Sequence, residues 1–233
     1  MLALLLAAVF PVIIFLVYIY RKDTVREPGK LVLKCFFLGC VATLPIIFIE
    51  LAVDAFNVFD SVLLRSLYDA FVVAALVEEG FKLLFLYLIV WKRREFNQYF
   101  DGIVYAVFIS LGFALVENIF YVIDLGMGAA IMRAILSVPG HGLFGVMMGY
   151  YFSLARFTPM KRKRLLFLSF LSPLLFHGLY DFFLMYIGGI ENGLLILLLF
   201  AGFVALMVLM WRTGASYIKK HHAIDRRIID QGL

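Results

Sequence analysis

Charge is scarce in this chain. Only 16% of its 233 residues are Asp, Glu, Lys or Arg, while 64% are hydrophobic. Mean hydropathy is +1.01. A water-soluble domain of this length cannot hide that much apolar surface, so the bilayer is the solvent. Cysteine is just as sparse. Cys35 and Cys40 are the whole supply, and both fall in one apolar run. They match no metal-binding spacing, and a structural disulfide is not expected. No polar stretch is long enough for a soluble domain, and neither repeats nor low-complexity segments stand out. No basic residue precedes the first apolar run, so the n-region of a cleavable signal peptide is missing and a retained helix is expected. No Ser, Thr or Cys accompanies a histidine in a nucleophile arrangement. Paired Tyr-Asp and Gly-x-Gly-Asp aspartates are absent as well.

What remains is a series of apolar runs. Seven are long enough to cross a ~30 Å hydrocarbon core, which takes roughly 20 helical residues. They lie near 2–20, 31–53, 66–91, 100–123, 129–155, 165–187 and 193–211. Open strands cannot cross lipid without leaving backbone groups unpaired, so the expected fold is all-α, a polytopic helical bundle of about seven transmembrane helices. Lys and Arg cluster in alternate connections: Arg21 to Lys30, Lys92 to Arg94, Arg156 to Arg164, and the stretch after Arg212. The other connections hold only Arg65 among acids. The positive-inside rule turns this alternation into an N-out, C-in topology. It also explains the net charge of +5 without nucleic acid, since the basic groups mark orientation and meet lipid headgroups. The expected organisation is one membrane domain over 1–212, its polar core over about 66–187, and a basic cytoplasmic tail over 213–233. His221 and His222 are expected to be solvated in that tail, and Arg133 to snorkel to the outer interface.

Ionisable residues inside the apolar runs are the informative exceptions, because each costs a few kcal/mol in hydrocarbon (about 3 on insertion scales) unless it is paired or used. Glu78 and Lys82 are four apart and share a helix face, while Glu79 points about 100° away. One glutamate can thus be paired and the other stay free as a general base or acid. A self-neutralising Glu–Lys pair explains Glu78 but not Glu79. Glu117 has no basic neighbour four residues away, so its partner has to come from another helix. Asn118 adjoins it. Pro139 and Gly140 predict a kink just before His141. His177 and Asp181, again four apart, form a pair in which the carboxylate can orient the imidazole. The bland alternative for each is a hydrogen-bonded packing residue. Counting about 1.5 Å per residue from the basic ends brings all of them to one layer, roughly 18–26 Å deep. Asp101 lies outside that layer, where an N-cap role is expected.

Carboxylates and imidazoles in one buried layer suit activation of water for hydrolysis. They could equally hold zinc. Proton relay in a transporter or channel is a second reading, and an inert scaffold gripping single-span partners is a third.

Three motifs in order, Glu78-Glu79-x-x-Lys82, Phe113-x-x-x-Glu117 and His177-x-x-x-Asp181, resemble the PrsW family of intramembrane proteases. That family is related to the type II CAAX prenyl endopeptidases and bacteriocin-immunity membrane proteins. Phe100-Asp101-Gly102 and Gly112-Phe113-Ala114 add local matches, and the resemblance covers roughly 70–185. It implies a multi-span protease of the bacterial cell membrane that makes the first cut in a membrane-anchored anti-sigma factor. Carried over by position, Glu78, Glu79, Glu117, His141, His177 and Asp181 are expected at the active site, with Lys82 and Asn118 in support. Where the prenyl endopeptidase motif ends in His, this chain has Glu117, so His141 is expected to supply an imidazole. No cofactor is required by the resemblance, and a zinc ion is the alternative.

Overall fold

A computed structural model describes residues 2–231. All regular structure among them is helical: α1 (Leu2–Lys22), α2 (Gly29–Asp54), α3 (Val62–Tyr68), α4 (Leu76–Val90), α5 (Tyr99–Ile135), α6 (Ser137–Phe157), α7 (Arg162–Gly188) and α8 (Gly193–Asp230). The protein is an all-α polytopic membrane bundle. Five helical stretches are long and apolar enough to cross a bilayer, among them Tyr99–Phe157 taken as one piece. Large apolar side chains such as Phe48, Leu194 and Leu197 face outward, which is stable only against lipid.

The centre of the bundle is the first half of α5. Every residue from Phe100 to Ala114 is buried, so this helix has no outer face and must be enclosed on all sides. Small residues let its neighbours approach. A Cβ on Gly112 would collide with the Phe36 carbonyl of α2, and one on Gly39 with the Ile109 carbonyl of α5. That reciprocal pair brings the α2 and α5 backbones into direct contact.

Several expected boundaries shift. The run at 66–91 is divided by a π-helical stretch, Asp69–Ala75, between α3 and α4. The wider turn displaces the face that α4 presents, a device frequent beside functional sites. The run at 129–155 is also divided. Gly126 has φ 77° inside α5, and the chain breaks again at Leu136 (φ −112°, ψ −60°). The break therefore comes before Ser137 rather than at Pro139. Pro139 occupies the first turn of α6, where its missing N–H leaves no bond unmade.

The basic tail is not loose. Its helix continues α8 to Asp230. His221 is fully buried, with Nε2 3.1 Å from the Tyr150 carbonyl, and His222 stacks on Phe100 at 4.1 Å. Both histidines thus depart from the solvated expectation. Gly214, His221 and Asp225 fall on one helical stripe that packs inward, a pattern hidden by polar composition. Asp225 accepts the backbone N–H groups of Tyr99 and Phe100, both at 2.8 Å, and so caps α5 from a distance. Asp101 is not the N-cap itself. It is the third residue of a capping box with Gln98. In the connection before α2, burial pushes the Asp23 carboxyl up to about 6.

Candidate active site

A cavity of about 840 Å³ opens among α2, the π-helical stretch, α4, α5, α6 and α7. Glu78, Glu117, His141, His177 and Asp181 line it. The residues singled out from five separate sequence positions therefore share one wall.

Lys82 organises the α4 side. Its Nζ donates to Glu78 Oε2 and Glu79 Oε1, both at 2.8 Å, and lies 4.3 Å from the centre of the Phe113 ring. The expectation of one paired and one free glutamate fails here. A long lysine side chain spans both the i−3 and the i−4 position, so it holds both carboxylates. Glu79 is the more enclosed of the two: it is fully buried and accepts from His177 Nδ1 at 3.0 Å. Glu78 faces the cavity instead, and among the described residues its Oε1 makes no hydrogen bond. That oxygen lies 3.9 Å from His177 Nε2.

His177 Nε2 is 3.0 Å from Asp181 Oδ2. Both ring nitrogens thus face carboxylate oxygens, which only a doubly protonated ring, or one protonated carboxyl, can satisfy. Phe144 stacks on this imidazole at 4.6 Å and restricts its rotation. His141 is 5.4 Å from His177, centroid to centroid. Its Nδ1 is 3.4 Å from Lys82 Nζ, and its Nε2 is 2.9 Å from Glu117 Oε2. An ammonium can only donate, so Nδ1 accepts and Nε2 carries a proton toward Glu117.

Glu117 draws one partner from another helix, His141 of α6, as its isolation in the sequence implies, and a second from its own α5 beyond the break at Gly126. That second partner is Arg133, whose Nη2 is 2.7 Å from Glu117 Oε2. Arg133 therefore turns into the bundle rather than out to the interface, because a buried carboxylate is a stronger partner than lipid headgroups are. Its Nε donates to Asn118 Oδ1 at 2.9 Å, and Asn118 Nδ2 donates to the Ala8 carbonyl at 2.9 Å. Asn118 thus supports the site through Arg133 and anchors it to α1.

Sequence reasoning missed Glu50, which lines the same cavity from α2 and has no ion-pair partner among the described residues. The signal was available: a glutamate near the end of an otherwise apolar run. Asp54 and Asp69 also line the cavity.

Metal binding can be judged from the donors. Glu78, Glu79 and His141 each offer one atom, all within 4.8 Å of one another. A histidine nitrogen with two carboxylate oxygens suits zinc. In this arrangement the Lys82 ammonium bonds to both carboxylates and approaches the imidazole, so a metal would have to displace it.

Comparison with known proteins gives the family. The family described as PrsW family intramembrane metalloprotease matches residues 27–210. The chain belongs to the PrsW family. It is accordingly a membrane-embedded endopeptidase of the bacterial cell membrane. The family match reaches beyond the three motifs into α2, including Glu50, and most of the apolar part of α8. Protease PrsW of Oceanobacillus iheyensis is 41% identical over 94% of this chain and 96% of its own length. Protease PrsW of Bacillus subtilis is 38% identical over 97% and 98% respectively, and that of Clostridioides difficile 37% over 97% and 94%. No solved structure matches the chain. Nothing in these comparisons supports the transport reading.

Proposed function

We propose that this PrsW-family protein hydrolyses a peptide bond in a single-span membrane protein of the anti-sigma-factor type, with Glu78 as the base that activates water. The observation that carries the reading is the state of Glu78. Lys82 pins Oε2, while Oε1 makes no hydrogen bond beside the cavity and 3.9 Å from His177 Nε2. A carboxylate held by one oxygen presents the other at a fixed angle.

In the proposed sequence, water enters between Glu78 and His177. Glu78 Oε1 takes a proton from it, and the hydroxide oxygen bonds to the scissile carbonyl carbon. The carbonyl π electrons move onto oxygen. The Arg133 guanidinium lies on the wall where that negative charge can be stabilised, while the Nε2–H of His141 stays on Glu117. The C–N bond then breaks, and the departing nitrogen takes a proton from His177, which Asp181 orients. Glu78 returns its acquired proton to His177 as the products leave. Glu117 balances the charge of Arg133 and holds the His141 tautomer. Glu79 and Lys82 lie behind the cavity lining, where they hold His177 and Glu78 in place. A metal held by Glu78, Glu79 and His141 would, when bound, supply Lewis acidity to water or carbonyl; the roles of Asp181, Asn118 and Arg133 as positioning groups do not depend on it.

The seven-span, N-out arrangement, with one domain over 1–212 and its core over about 66–187, is part of the same proposal. With it the part of the cavity lined by Asp54 and Asp69 lies toward the outer side of the membrane, which suits a cut near the extracytoplasmic end of a substrate span. The test is cleavage in proteoliposomes of a single-span anti-sigma-type protein by wild type and Glu78→Gln. The wild type should cut it. Removing a general base should lower kcat by about 10²- to 10⁴-fold. Equal rates for the two proteins would overturn the assignment of Glu78.

A further inference from the structure

Three acids lie outside the cavity and have no role in the hydrolysis proposed above. Asp23 and Glu27 lie in the connection between α1 and α2, and Asp101 in the first turn of α5. Asp23 and Glu27 are each only 5% exposed, and Asp101 is fully buried. One carboxylate oxygen from each lies within 4.8 Å of those of the other two. None of the three makes an ion pair with Lys, Arg or His among the described residues.

Hydrogen bonds account for some of their oxygens and leave others over. The Glu27 N–H donates to Asp23 Oδ2 at 3.1 Å. The N–H groups of Asn97 and Gln98 donate to Asp101 Oδ2 at 2.9 and 2.6 Å. The Tyr105 hydroxyl donates to Glu27 Oε2. Asp23 Oδ1 and Asp101 Oδ1 remain buried with no partner. Buried carboxylate oxygens without donors are strongly unfavourable. Nothing in the capping of α5 calls for two further acids at this point, since Asp101 Oδ2 already does that work.

We propose that Asp23, Glu27 and Asp101 form a binding site for a hard divalent cation, of the Ca²⁺, Mg²⁺ and Mn²⁺ class, separate from the catalytic cavity. The donors are all oxygen, which suits these ions over zinc. The residues are held in place by backbone N–H groups and by Tyr105, so the oxygens are positioned in advance. A bound ion ties the α1–α2 connection to the start of α5. Through the bonds from Tyr99 and Phe100 to Asp225, it also strengthens the seat of α8. The ion therefore stabilises the packing of the outer helices on α5.

The test uses the full-length protein in detergent, stripped with EDTA and then freed of chelator. Ca²⁺, Mg²⁺ and Mn²⁺ are added separately while thermal unfolding is followed, and bound Mn²⁺ is counted by its EPR signal. The expected result is one Mn²⁺ per chain and a higher Tm with at least one of the three ions. Asp23→Asn and Glu27→Gln should each weaken binding by at least about 10- to 100-fold, the loss typical when even an outer partner of a metal ligand is removed. Glu78→Gln should retain the bound Mn²⁺, because the cavity is not involved. Mn²⁺ lost in Glu78→Gln would place the ion in the cavity and overturn the proposal, whether or not the other two variants fold. No binding by the wild type at millimolar ion would overturn it too, leaving a cluster that only shares protons, as would binding unchanged in both acid variants.

Discussion

Lys82 of α4 and His141 of α6 meet inside the bundle with Nζ 3.4 Å from Nδ1. The same ammonium holds Glu78 and Glu79 at 2.8 Å. The lysine ammonium therefore stands among the three donors best suited to a metal. Its neutral replacement separates the electrostatic role of the site from its chemistry.

In Lys82→Met the two glutamates lose their shared cation. Breaking a buried pair by removing one partner costs about 3–5 kcal/mol, so the variant should unfold at a markedly lower temperature. Zinc should bind it more tightly than it binds the wild type and recover part of that loss. Calorimetric titration with Zn²⁺ and thermal unfolding check both. Zinc affinity no higher than in the wild type would mean that Lys82 and a metal do not compete.

Glu78 and Glu79 should separate on substitution. Glu79→Gln weakens the Lys82 pair and the His177 contact in a fully buried place, so stability should fall together with activity. Glu78→Gln keeps a side chain of the same shape at the cavity wall. Its kcat should fall by about 10²- to 10⁴-fold with a smaller change in Tm. Measuring kcat and Tm side by side distinguishes the two; matching profiles would erase the distinction between the cavity lining and the buried support behind it.

Asp181 orients His177 across 3.0 Å. Asp181→Asn should lower kcat by about 10- to 100-fold, the usual effect of losing a carboxylate that orients a functional imidazole. KM should change little, because the substrate is not held by this contact. A rise in KM at constant kcat would assign Asp181 to substrate binding instead.

Gly112 sets the approach of α5 to α2, where an added Cβ would collide with the Phe36 carbonyl. Backbone cannot yield as a flexible side chain can. Gly112→Ala should destabilise the protein by about 1–3 kcal/mol or more, visible as earlier unfolding on heating. An unchanged Tm would show that α2 can shift outward freely.

Much of the candidate site was legible in the chain because charge in an apolar run is costly wherever the run lies. That reasoning needs no knowledge of neighbours, and it picked out Glu78, Glu117, His141, His177 and Asp181 one at a time. The partners of these groups were harder to read. Arg133 looked like an interface residue because it sits near the end of a run, yet Glu117 draws it inward. Glu50 sits just as near the end of another run and was passed over. The tail histidines looked solvated because composition records polarity and not the stripe that packs against α5 and α6.

From the order of its residues alone, this protein was bound to be a helical membrane bundle with acids and imidazoles inside its apolar runs. Hydropathy and helical spacing are local properties, and lipid leaves the backbone few alternatives. Only the packed helices decided which atoms meet: Lys82 across both glutamates, Arg133 on Glu117, and one oxygen of Glu78 turned to the cavity. Those choices depend on crossings between distant segments, on the π-helical stretch before α4 and on the break at Leu136, where a small rotation changes every partner.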